Sequence, residues 1–116
     1  MAEVNWDEAL ERVGGDGDLL REVAKLFLDT APQQLADLQS ALTRGDSARL
    51  QCAAHALKGA ISIFGARAAF EAALRLENLA RFGDLAQAEP AWAALQEAIA
   101  RLKPALVARV KSGQAP

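Results

Sequence analysis

The sequence predicts an all-α protein: an antiparallel up-down-up-down four-helix bundle with a short additional helix at its N-terminal end. Three observations carry this. Leu and Ala dominate the 116 residues while aromatics make up only 5%, with no Tyr, a composition that favours helix over sheet. Apolar residues recur at spacings of three and four along several stretches, the signature of helices with one face turned to a core. Between those stretches stand short Gly-Asp punctuations, Gly45-Asp46 and Gly83-Asp84, in which a glycine ends one helix and an aspartate caps the next. Connections that short imply antiparallel neighbours. The length corresponds to one domain, 1–116, with about 5–110 structured and 111–116 a frayed tail.

In chain order, Asn5 followed by Glu8 forms a capping-box pattern for a short helix from Trp6 to about Val13, ended by Gly14-Gly15. Asp16 or Asp18 caps the next helix, which runs to about Thr30. Its apolar residues, Leu19, Leu20, Val23, Ala24, Leu26, Phe27, Leu28 and Ala31, span roughly 200° of the wheel, wider than the stripe of about 100° that one core contact requires. Either the helix is packed between two neighbours or one edge stays exposed for docking. In the second case Leu20, Ala24 and Phe27, which share an edge, are the candidates. Pro32 starts a new helix or kinks the old one, and Leu35, Leu38 and Leu42 continue a core stripe to Gly45. Asp46 caps a helix over about Ser47 to Phe64, closed by Gly65. A further helix covers about Ala66 to Phe82, with Phe70, Ala73, Leu74, Leu76, Leu79 and Ala80 apolar. The last begins at about Asp84 or Pro90 and reaches Val110, with Leu95, Ile99, Leu102 and Leu106 as its stripe and a kink expected at Pro104.

Chemistry concentrates in the third long segment. Leu50, Ala54, Leu57, Ile61 and Phe64 form its core stripe, and His55, the only histidine, lies roughly 140° from the centre of that stripe. The imidazole therefore points to solvent. Gln51, Gly59 and Ser62 share its face, and Lys58 flanks it. A lone histidine is most often an ordinary surface residue. Gly59 argues otherwise, because glycine within a helix costs about 1 kcal/mol relative to the alanine this chain uses freely. A missing side chain one turn from an exposed imidazole leaves an approach path, and Lys58 adds a positive charge beside it. Nucleophile, approach path and cation together suit an anionic group delivered by a bulky donor. Neutral imidazole is abundant near pH 7, since the ordinary histidine pKa is about 6.5.

Other classes find less support. The net charge of −2, with both signs interspersed, leaves no basic surplus for nucleic acid. No run of about 18 apolar residues offers a membrane span, and no signal peptide pattern is visible. Cys52 has no partner for an internal disulfide, which fits a reducing cytoplasm. Cys52 and His55 have the spacing of a metal-ligand pair, but no further Cys or His completes a zinc site, so no metal is expected.

His55-Ala56-Leu57-Lys58-Gly59, with Gly65-Ala66 following, resembles the signature of the histidine-containing phosphotransfer (HPt) domain of multistep two-component phosphorelays, roughly A-H-x-L-K-G, five residues, then G-A. Gly14-Gly15-Asp16, Leu26-Phe27, Leu76-Glu77 and Arg81 with Gly83-Asp84 extend the likeness over about residues 5 to 108; Ile63 departs from it, standing where relatives often carry a small or polar residue. The resemblance implies the same four-helix bundle. It also implies phosphorylation of Nε2 of His55 by an aspartyl phosphate on a receiver domain and onward transfer to another response-regulator receiver. In that reading Lys58 supplies charge, Gly59 steric access, and Gln51 and Ser62 contacts to the phosphoryl or the partner. The chain is then a phosphoryl carrier without autokinase activity, a monomer in the cytoplasm. It needs no cofactor of its own, the Mg²⁺ belonging to the receiver, and its partners are receiver domains and a hybrid sensor histidine kinase. Two alternatives are a kinase dimerisation domain and a scaffold that binds receivers without chemistry. Ala56 after the histidine, where such kinases usually carry an acidic or polar residue, and the lack of a glycine-rich nucleotide box weigh against the first. The histidine, lysine and glycine together weigh against the second.

Overall fold

The computed structural model describes residues 3–112. Five α-helices follow one another: α1 (Trp6–Arg12), α2 (Gly17–Arg44), α3 (Ser47–Ser62), α4 (Arg67–Arg81) and, after a single 3₁₀ turn at Leu85–Gln87, α5 (Ala88–Ser112). No strand occurs among the described residues. Each of the four long helices packs on the next, and α5 closes the ring against α2. The expected 111–116 tail is helical at Lys111 and Ser112, and its remainder lies outside the described residues.

The helix starts follow the aspartate and asparagine caps. Oδ1 of Asp16 accepts from the Leu19 amide and Oδ1 of Asp46 from the Arg49 amide, both at 3.1 Å, satisfying donors that a helix leaves open. Asn5 likewise accepts from the Glu8 amide at 3.1 Å. The return half of the capping box goes elsewhere: the Asn5 amide donates to the Phe64 carbonyl at 3.0 Å, and Glu8 pairs with Arg12 at 2.8 Å. Arg12 also donates to the Ser62 carbonyl. The short first helix is thus clasped to the end of α3. Asp84, expected to cap the last helix, makes no side-chain cap bond, and the chain passes through the 3₁₀ turn first.

Of the two readings of Pro32, the start of a new helix or a proline within the old one, the structure shows the second: one helix of 28 residues with Pro32 inside it. Pro32 faces solvent, where water can reach the carbonyl its missing N–H leaves unpaired, and the buried residues Ala31, Leu38 and Ala41 carry the core face past it. Pro90 falls in the first turn of α5, where a missing N–H costs nothing, and Pro104 lies within that helix.

The core runs the length of the bundle. Leu20, Leu38, Leu50, Leu57, Ile61, Phe64, Leu76, Leu95, Leu102 and Leu106 are fully buried. Phe27 and Phe64 meet edge to face with centroids 5.6 Å apart. The indole N–H of Trp92 donates to Gln39 at 2.7 Å and ties α5 to α2. Gly65, between α3 and α4, has φ +60°, and a Cβ there would stand 2.6 Å from Oε2 of Glu8 and 2.9 Å from Cβ of Asn5. Only glycine lets α1 lie this close against the turn.

Burial corrects one expectation. Leu20, Ala24 and Phe27 are core residues, not an exposed docking edge. They continue at helical spacing into Ala31, Leu38 and Ala41, so the wide apolar arc of α2 has these at its centre. The large apolar residues it leaves to solvent are Leu19, 41% exposed, and Leu26, 60% exposed.

Candidate functional site

α3 presents its stripe of Leu50, Ala54, Leu57 and Ile61 to the core, which turns His55 outward, its side chain 67% exposed. The ring is not free on both sides. Across the turn at Gly65, α4 returns antiparallel and places Glu77 beside it, with Nδ1 of His55 2.7 Å from Oε2 of the carboxylate. Glu77 is the one buried charged residue among those described, its side chain 4% exposed. It lies on the same face of α4 as the buried Ala73 and Ala80, where an apolar residue would otherwise belong.

A buried carboxylate is costly unless paired. Here three basic groups surround it. Nζ of Lys58 stands 2.8 Å from Oε1; Nη2 of Arg81, one turn on along α4, is 3.8 Å from Oε2; His55 supplies the third contact. Burial alone would raise the Glu77 carboxyl. The contacts and charges of Lys58 and His55 outweigh burial and hold it below its ordinary value of 4.5. The group is ionised at neutral pH, and an ionised carboxylate can only accept hydrogen bonds. The proton of a neutral His55 ring therefore sits on Nδ1, directed at Glu77, and the lone pair is on Nε2. The buried partner fixes both the ring orientation and the tautomer.

The other residues singled out in the sequence fall as follows. Gly59 is exposed on α3, one turn from His55, and a Cβ there would meet nothing within 4 Å, so the fold itself does not require glycine. Lys58 is half-buried and engaged with Glu77 instead of standing free beside the ring. The Ser62 hydroxyl donates to the Gly59 carbonyl at 2.6 Å. Gln51 is half-buried on the turn before His55. Cys52 is exposed and unbridged. No cluster of three or more metal-ligating side chains exists among the described residues. Glu77 is what the sequence reading missed as a functional group. The available signal was an acidic residue on the buried face of α4, between Ala73 and Ala80.

The arrangement is a nucleophilic ring nitrogen held outward by a buried acid, with cations nearby and an open approach. The family model for the Hpt domain matches residues 22–105, well over half of the chain. The protein belongs to the Hpt family. Two solved structures share the fold of this Hpt domain over nearly the whole of both chains. Histidine-containing phosphotransfer protein B from Pseudomonas aeruginosa PAO1 has a TM-score of 0.87 and 22% identity, covering 95% of this chain and 96% of that one. The HPT domain of a sensor hybrid histidine kinase from Shewanella has a TM-score of 0.86 and 23% identity, with 97% of each chain covered. No curated protein matches the sequence. Hpt domains are phosphocarrier modules of phosphorelays. No helix among the described residues is long and apolar enough to cross a membrane.

Proposed function

We propose that Nε2 of His55 accepts a phosphoryl group from an aspartyl phosphate on a receiver domain and passes it to the aspartate of another response-regulator receiver. The observation that carries this reading is the exposed ring held by Glu77 through Nδ1, which leaves Nε2 as the reacting atom. Phosphoryl transfer needs in-line alignment and charge neutralisation more than covalent help from the protein. Glu77 supplies the alignment. Lys58 supplies charge: its ammonium, 2.8 Å from Oε1 of Glu77 and three residues on from His55, can turn toward a phosphoryl on Nε2. Gly59 supplies access, and Gln51 and Ser62 lie on the same face for contacts to the phosphoryl or the partner.

The receiver brings the Mg²⁺ and its own catalytic groups, so this chain acts as a carrier and not as a kinase. It docks on the exposed face of α3 that carries Cys52, His55, Ala56 and Gly59. It works as a monomer in the cytoplasm, between a hybrid sensor kinase and a response regulator. The test is incubation with a phospho-receiver labelled in its phosphoryl group. Label should appear on His55 in an acid-labile, base-stable form, and His55→Gln should fold normally and take up none. Undiminished labelling of that variant overturns the assignment.

A further inference from the structure

We propose that Glu77 keeps Nδ1 of His55 protonated while Nε2 carries the phosphoryl group, so that phosphoryl transfer in either direction moves no proton at Nδ1. The inference rests on the phosphotransfer reading above and adds to it a proton inventory and a pH dependence.

The geometry supplies the reason. In the acceptor step the Nε2 lone pair forms the N–P bond, the P–O bond of the aspartyl phosphate breaks, and its electron pair returns to the donor carboxylate. The ring becomes an imidazolium whose Nδ1–H points at Oε2 of Glu77, 2.7 Å away. In the donor step the incoming carboxylate oxygen attacks phosphorus, the N–P bond breaks, and its electrons return to Nε2. If Nδ1 still holds its proton, the departing group is neutral imidazole in the tautomer that began the cycle. If Nδ1 has lost it to water, the departing group is an imidazolate anion, a far poorer one. A buried carboxylate facing Nδ1 favours the protonated ring.

The groups that could oppose this are few. From α3, His55 and Lys58 face Glu77; from α4 itself, Arg81 does. α5, the other helix packed on α4, brings no ion pair to Glu77 among the described residues, and its Arg101 pairs with Glu97 and Glu3. Lys58 is drawn off by the phosphoryl, which leaves Glu77 more fully to the imidazolium. Arg81 is half exposed at 3.8 Å and is screened. Glu77 is thus a positioning residue whose charge, beyond its shape, sets the reactivity of the phosphorylated state.

The protein can be phosphorylated with phosphoramidate, a small donor that needs no receiver, and titrated by ³¹P NMR between about pH 5.5 and 9, a range centred on ordinary histidine behaviour. Free phosphohistidine in the same tube serves as reference. The ring of the phosphorylated protein should titrate about one pH unit or more above the reference, a tenfold gain in proton affinity. In Glu77→Gln the amide oxygen can still accept from Nδ1 but the charge is gone, so the midpoint should return toward the reference. Discharge to a receiver should stay level to a pH about one unit higher in the wild type than in the variant, and in each should fall about tenfold per pH unit above its own midpoint. A wild-type midpoint at or below that of free phosphohistidine overturns the inference, whatever the variant does, and leaves the carrier function standing. Failure to form any phosphohistidine overturns both.

Discussion

Gly59 separates the demands of folding from those of function, and replacing it with glutamine tests both at once. In α3 the position is internal, exposed, and bordered by nothing within 4 Å of where a Cβ would be. No clash and no lost burial enters the balance, so helix propensity decides the sign. Glycine is about 0.8–1.0 kcal/mol worse than alanine in a helix interior, and glutamine is among the good helix formers, so the gain is about 0.5 kcal/mol or slightly more. For a domain of this size that raises Tm by about 2–4 °C. The functional effect runs the other way. Cα–Cβ bonds on a helix tilt toward its N-terminus, so a side chain at 59 lies over the preceding turn, which is the turn that presents His55. A glutamine there covers the approach to Nε2. Transfer from a phospho-receiver should fall at least tenfold, equivalent to about 1.4 kcal/mol of lost complementarity, while phosphorylation by the much smaller phosphoramidate should fall far less. The assays are thermal unfolding by circular dichroism and transfer kinetics with both donors. A lower Tm, or receiver transfer at the wild-type rate, refutes the reasoning.

Three further outcomes follow from the same contacts. Lys58→Ala leaves the buried Glu77 carboxylate without its nearest cation, so the protein should lose about 1–3 kcal/mol and still fold, with slower transfer or a shorter-lived phosphohistidine; unchanged denaturation midpoints and phosphoryl lifetimes would show that Lys58 is a bystander. Gly65→Ala forces a left-handed conformation on alanine and drives its Cβ into Glu8 and Asn5, costing about 2 kcal/mol or more and loosening α1, which a change in Trp6 fluorescence should report; a stable variant with α1 seated refutes it. Because the folded Glu77 carboxyl lies below its ordinary 4.5, its ionisation stabilises the fold fully above that value, and the contribution is lost as pH falls through the folded value. Denaturation from pH 6 downward, about the range where carboxylates titrate, should therefore show a steeper loss for wild type than for Glu77→Gln, and parallel curves would count against the ion pairing.

Periodicity was legible where one face of a helix meets one core. The stripe Leu50, Ala54, Leu57 and Ile61 appeared in the sequence as it does in the fold, and with it the outward direction of His55. On α2 the wide arc left two readings open, a helix packed between two neighbours or an exposed docking edge, and the helix packs against both α3 and α5. A wide arc does not say which part is its centre, and Leu20, Ala24 and Phe27, candidates for an edge by the wheel alone, are its middle. Pro32 was ambiguous for a related reason: a proline on the solvent side of a long helix leaves its unpaired carbonyl to water, and only the uninterrupted burial of Ala31, Leu38 and Ala41 shows that the helix continues.

Glu77 was hidden by a deeper limit. Wheel arithmetic orders residues around their own helix, whereas the meaning of Glu77 lies between helices, in the return of α4 across Gly65 at the distance that brings a carboxylate to Nδ1. The chain makes that return through Gly65, whose left-handed backbone lies in the turn between α3 and α4 and leaves room for α1 against it. The cost of burying that acid is offset by Lys58, whose charge serves Glu77 while Nε2 is bare and can serve the phosphoryl once it arrives. In the bare protein Lys58 helps hold the buried carboxylate ionised, and in the proposed phosphorylated state the imidazolium of His55 takes over that part.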